Sequence, residues 1–230
     1  MDSSKDWAWR ASRTSAGVGG EGTGVFEDER VNELASSVLN RIDIPMKRKK
    51  QKSVIDDVFR PIYGKPCWNV EQGYGSFLTL EFGEPQLRVQ EPRKASKQAP
   101  ESLKRRWARR FVYVRGKWHL WFYICNWKII ILGEEKANYR SSKRAIQKAA
   151  IEINGEKLVR VTVDKSLVTT FDFDLGGKLI CTPSRSFDKD SDLWLFYEPS
   201  GKVFTLRANG KYSHIPGNTP SDKEKWMDLF

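Results

Sequence analysis

The chain has 230 residues, 39% of them apolar, with 40 Lys+Arg against 29 Asp+Glu and a formal net charge of +11. That length supports one good core with an ordered appendage, and one main domain is expected. The longest nearly apolar run, Trp118 to Leu132, is broken by His119, Asn126 and Lys128 and is shorter than the roughly 20 residues of a membrane-spanning helix; the N-terminus shows no secretory signal, so a cytoplasmic location is the expectation.

Cys67, Cys125 and Cys181 lie more than fifty residues apart, so neither a disulfide framework nor a zinc site is expected and all three read as small core residues. The charge is not evenly spread. Residues 1–87 hold 12 Lys+Arg against 13 Asp+Glu, residues 88–148 hold 17 against 4, and residues 149–230 hold 11 against 12. The whole excess sits in the central segment, a local field that attracts nucleic acid, anionic membrane surfaces or acidic proteins.

In chain order, residues 1–26 are Ser/Gly-rich without a period and predict a disordered tail; the Gly17–Gly22 match to G-x-G-x-x-G has no strand before it and reads as linker. Residues 27–55 predict an amphipathic helix over 27–42, with Val31, Leu34, Val38, Leu39 and Ile42 on one face, followed by the basic linker Met46–Lys52. Residues 56–230 predict a single β-rich domain. Its first hairpin runs over 74–92 with a turn at Gly83-Glu84-Pro85, and residues 92–106 form a basic loop.

The stretch Arg105–Trp127 combines five arginines, a lysine, four tryptophans, two tyrosines and His119. Its residue types predict strands over Phe111–Val114 and Trp118–Asn126, joined by a turn at Arg115-Gly116-Lys117. Trp118, Leu120, Phe122 and Ile124 then face a core. His119, Trp121, Tyr123 and Cys125 face the other way, with Trp121 and Tyr123 about 6.6 Å apart and able either to pack under another element or to stack on a ligand.

Over 134–153, Lys136, Arg140, Arg144 and Lys148 recur every four residues, which would make a basic ridge on one continuous helix. Ser141-Ser142 offers an alternative cap that would shorten the helix and leave two members of the ridge. An antiparallel meander follows: a strand at Leu158–Val163, a hairpin around Gly176-Gly177, and turns at Pro199-Ser200-Gly201 and Asn209-Gly210.

The stretches GKPCWNVEQGYGSFLTLEFGEPQL (64–87), VRGKWHLWFYICNW (114–127) and LWLFYEPSGKVFTLRANGKYSH (193–214) together resemble a group of uncharacterised bacterial proteins, over about residues 60–215. The resemblance implies a bacterial origin and no particular chemistry.

Hydrolase and nucleotide-cleaving signatures are missing, so no catalytic residue, metal ligand or cofactor is expected. The fold class expected is mainly β (α+β): antiparallel hairpins forming a sandwich or open barrel, with two peripheral helices. The function expected is a non-catalytic binding module for an anionic partner, nucleic acid with single strands favoured. Its candidate contacts are Arg105, Arg106, Arg109, Arg110, Trp121, Tyr123, Lys136, Arg140, Arg144 and Lys148. Two alternatives stand beside it. One is a module of a toxin or defence system that binds an acidic protein; the other is a metal-dependent nuclease using Asp172 and Asp174 near Lys178, or Glu134-Glu135-Lys136.

Overall fold

The computed structural model describes residues 53–230 apart from Tyr74, Ser76, Arg185 and Phe187. The expected tail over 1–26, its glycine pattern, the helix over 27–42 and the basic linker therefore lie outside the described residues.

Two antiparallel sheets make the body. The first has seven strands in the order β1 (Cys67–Gln72), β2 (Leu78–Gln90), β3 (Phe111–Phe122), β9 (Asp192–Tyr197), β10 (Lys202–Arg207), β11 (Lys211–Pro216) and β12 (Met227–Asp228). The second has five, in the order β5 (Glu134–Asn138), β4 (Cys125–Ile131), β8 (Gly177–Pro183), β7 (Thr169–Phe173) and β6 (Leu158–Val163). The mainly β class is as the sequence predicts. Alternation drives it: β4 buries Cys125, Trp127, Ile129 and Ile131 and turns the residues between them away from the core.

Leu80, Phe82, Leu120, Phe122 and Phe196 of the first sheet share one apolar cluster with Trp127, Ile129, Phe171 and Leu179 of the second. A short helix, α1 (Val54–Phe59), enters the same cluster. Its Phe59 ring lies 4.5 Å from Phe196 and 5.7 Å from both Phe171 and Trp194. This helix, which the sequence does not predict, is part of the core and spans the expected boundary between residues 55 and 56. Cys67, Cys125 and Cys181 are buried thiols, as expected.

The meander is where the sequence places it. Strands β6 to β8 and β9 to β11 pair in order, with the turns at Gly176-Gly177, Pro199–Gly201 and Asn209-Gly210.

Two expected hairpins are not formed. β2 and β3 run unbroken through both predicted turns and pair with each other from Leu78↔Phe122 to Gln90↔Phe111. The register slips once, between Phe82 and Pro85, where β2 carries one residue more than β3. This is a β-bulge with Gly83 at φ +73°, a conformation glycine reaches without a Cβ penalty. Gly116 sits opposite. A Cβ there would lie 2.7 Å from the Phe82 carbonyl oxygen, so only glycine lets the two strands close.

The expected helix over 134–153 is also corrected. Residues 134–138 are the edge strand β5, paired with β4, and the helix α3 is Lys143–Ile153 with Ser142 as N-cap, its hydroxyl accepting from the Ala145 N–H at 3.3 Å. The alternative cap is the one used, because pairing Ala137 against Ile129 buries Ala137 while Ile146, Ala149, Ala150 and Ile153 suffice to seat the shorter helix. Among the described residues no helix is long and apolar enough to cross a membrane.

Candidate nucleic-acid interface

Beyond the bulge, β2 and β3 leave the body. β9 pairs with β3 only at His119–Phe122, so Phe111–Lys117 has β2 alone as its neighbour. The loop expected over 92–106 contains a helix, α2 (Glu101–Trp107), of which no residue is buried. The result is a two-stranded ribbon capped by a small helical tip. Residues 88–117, which comprise most of it, hold 11 Lys+Arg against 2 Asp+Glu. Most of the central charge excess is therefore on a part of the fold that contributes little to the core.

The two faces of the ribbon differ in chemistry. Val112 and Val114 continue the side of β3 that buries Leu120 and Phe122, and with their partners Leu87 and Val89 they form an exposed apolar face. Phe111, Tyr113 and Arg115 continue the opposite side, across from Gln90, Arg88 and Gln86. On that side two rings at the strand repeat, Phe111 and Tyr113, are followed by the cation Arg115, with Arg88 across from Tyr113 and the Arg106 guanidinium 6.0 Å from the Phe111 ring centroid. The tip folds onto itself: Arg93 stacks over Trp107 at 4.2 Å, and Arg110 reaches Glu91 at 2.9 Å.

At the base of the ribbon the same face deepens into a recess of about 270 Å³ lined by Arg88, Tyr113, Arg115, Lys117, His119 and Tyr197 together with Gly116 and Glu198. A buried carboxylate holds two of its lining residues, Gly116 and His119. Glu81 is 1% exposed and uses one oxygen to accept the Gly116 N–H at 2.9 Å, replacing a ladder bond at the bulge. Its other oxygen lies 2.8 Å from His119 Nδ1. A carboxylate on Nδ1 fixes the ring orientation and the Nδ1–H tautomer. Burial holds the His119 pKa below its ordinary value, with Arg115 pushing the same way and the Glu81 bond opposing. Burial likewise lowers the Arg115 pKa, Glu81 opposing it, and the guanidinium lies 5.3 Å from the Tyr197 ring. A cation held partly out of water beside an aromatic face is a strong anion receptor, because little hydration is lost when the anion arrives.

The expected contacts separate into three groups. Arg105 and Arg106 stand on α2, and Arg109 and Arg110 just after it, so these four lie together at the tip. Trp121 is on the proposed side of β3 and Tyr123 lies just past its end, because the strand expected over Trp118–Asn126 breaks between Phe122 and Cys125; Trp121 is 2% exposed, packed 5.6 Å from Phe77 and 4.7 Å from Tyr123. Its ring has no open face on which a base could stack. The basic ridge is dismantled: Lys136 is on β5 and pairs with Glu134, Arg140 precedes α3 and lies over the Tyr139 ring, and only Arg144 and Lys148 share the helix.

The residues missed are Arg88, Phe111, Tyr113, Arg115, Lys117, His119 and Tyr197. The odd-numbered alternation Phe111-Tyr113-Arg115 was a usable signal, hidden by reading Arg115–Lys117 as a turn.

The carboxylates considered for a metal site are otherwise engaged. Asp172 is held by Lys178 at 2.9 Å and Arg160 at 3.0 Å, and Asp174 accepts the Lys157 N–H at 2.8 Å. Among the described residues no three His, Cys, Asp or Glu side chains converge as metal ligands. No protein family, curated protein or solved structure matches the chain.

Proposed function

We propose that this chain is a non-catalytic nucleic-acid-binding module, and that single strands are its preferred form. One observation carries the reading: 11 cations against 2 acids on a ribbon and tip, with Phe111 and Tyr113 on one ribbon face beside Arg88 and Arg115. Exposed rings at strand spacing stack unpaired bases, which a duplex keeps inside, while Arg88 and the arginines of the tip follow the phosphates. Affinity of this kind is salt-dependent, with a slope of about 0.7 in log affinity per log salt for each phosphate contact on a single strand.

The deciding experiment is anisotropy titration of the full chain with labelled single-stranded DNA, RNA and duplex DNA across a salt series. Tighter binding of single strands, with a steep salt slope, supports the reading; the absence of binding to all three sinks it. The apolar face of Leu87, Val89, Val112 and Val114 favours a second reading, an acidic protein partner that would cover it. Saturable binding of an acidic protein with no nucleic-acid binding at low salt would select that one.

A further inference from the structure

A second cavity adjoins the recess on the same face of the seven-stranded sheet. It measures about 180 Å³ and is lined by Leu195, Tyr197, Thr205, Ser213 and Glu224 among others, so Tyr197 belongs to both. The register explains the adjacency. His119↔Tyr197 and Trp121↔Leu195 are neighbouring rungs, and Leu195↔Thr205↔Ser213 continues the second rung across the sheet. The first chamber carries three cations and one carboxylate, Glu198, which is engaged by His214 at 2.9 Å; the second mixes apolar and hydroxyl groups with the carboxylate of Glu224.

Ser213 is the informative residue of the second chamber. It is 2% exposed, and its hydroxyl has no hydrogen-bond partner among the described residues. A buried hydroxyl without a partner costs stability, so one that lines a cavity is a polar group left for something that enters. Thr205, its rung neighbour at 5% exposure, offers a second hydroxyl.

We infer that the two chambers together take the phosphorylated terminal nucleotide of a bound strand, the phosphate against Arg88, Arg115 and Lys117 and the nucleoside beyond Tyr197 against Thr205 and Ser213. This rests on the nucleic-acid reading above and adds a polarity to it. Gly116 and His119, both buried, close the recess on the side of the sheet, so a phosphate seated there is bounded on that side. A terminal phosphate has one sugar attached and a chain phosphate two. A terminal phosphate is also close to a dianion at neutral pH, whereas a chain phosphate carries one charge, and three cations reward the difference.

The test compares one labelled oligonucleotide in three forms, with a 5′-phosphate, a 3′-phosphate or hydroxyl ends, binding to the full chain. One phosphorylated form should bind about tenfold tighter than the hydroxyl form, and Arg115→Gln should abolish that preference. Because Arg115 is partly buried, Ser213→Ala is the safer variant: it removes a buried hydroxyl with no internal partner, should leave the thermal midpoint unchanged or higher, and should reduce the preference several-fold. Competition with a nucleoside monophosphate separates a strand end from free nucleotide. Equal binding of all three oligonucleotides would remove the end site and leave the nucleic-acid reading standing. Binding of the monophosphate without binding of any oligonucleotide would overturn both, and reassign the chambers to a free nucleotide.

Discussion

Trp121 shows how burial decides what an aromatic residue does. It lies on the side of β3 that also carries Tyr113 and Arg115, but within the body that side is covered, and Phe77 and Tyr123 close around its ring. Trp121→Ala is therefore expected to cost about 3–5 kcal/mol of folding free energy, read as a large drop in urea midpoint. A normal midpoint with weakened nucleic-acid binding would instead return the ring to the interface. Gly116→Ala is expected to be destabilising by about 1–3 kcal/mol, since the added methyl must displace strand backbone rather than a flexible side chain.

His119 gives the fold a pH dependence of defined sign. Its pKa is held below the ordinary value of 6.5 by burial, so the unfolded chain takes up a proton that the folded chain resists. The stability it contributes is full above pH 6.5 and is lost as the pH falls below that value, by at most about 1.4 kcal/mol per pH unit for one proton. Glu71, whose pKa burial raises with help from neighbouring Glu81, titrates with the opposite sign. Comparing urea midpoints of wild type and His119→Gln at pH 7.5 and 5.5 isolates the histidine, and the acid-induced loss should be smaller in the variant. An identical loss in both would show that His119 binds its proton alike in the folded and unfolded chain.

At the scale of elements, the ribbon and α3 divide the charge between them, and the tip holds the denser share. Replacing Arg105, Arg106, Arg109 and Arg110 together by Gln is expected to flatten the salt slope for single strands by about three units. None of the four is buried, so the thermal midpoint should stay within a degree or two. The pair Arg144→Gln with Lys148→Gln should change the slope by less than one unit. Equal effects would place the interface on both elements.

Element by element, legibility followed the range of the deciding interaction. Strands β6 to β11 were readable because alternation and Gly or Asn-Gly turns are local signals. The Gly83 and Arg115–Lys117 stretches look like two turns in isolation and are one bulge in the structure, a fact that lives in the pairing of Phe82 with Trp118 and Pro85 with Gly116. The four-residue spacing of Lys136, Arg140, Arg144 and Lys148 was real, but Ala137 gains more by burial against β4 than a helix with repelling like charges could return. The recess could not be read at all, because it needs His119 beside Tyr197, residues far apart in the chain and joined only by strand register.

For the molecule as a whole, the body and the ribbon are separable. Joining Arg88 to Tyr113, which are cross-strand partners, through Asn-Gly would remove the tip and replace it with a two-residue hairpin turn. The shortened chain should fold with a thermal midpoint close to that of the parent, since the removed segment contributes no residue to the core. It should lose most of its salt-dependent affinity for single strands. A shortened chain that fails to fold would mean that the ribbon supports the body.

The pairing of an apolar ribbon face with a cationic tip also sets the colloidal behaviour of the protein. A two-stranded ribbon with a free edge and exposed Leu87, Val89, Val112 and Val114 is a template for edge-to-edge association, and the surrounding arginines and lysines keep copies apart. Polyanions at substoichiometric amounts neutralise that repulsion before they saturate the site. Titration with a long polyphosphate is therefore expected to give a turbidity maximum near charge balance that clears again in excess polyanion, and the chain shortened at Arg88–Tyr113 should stay clear throughout.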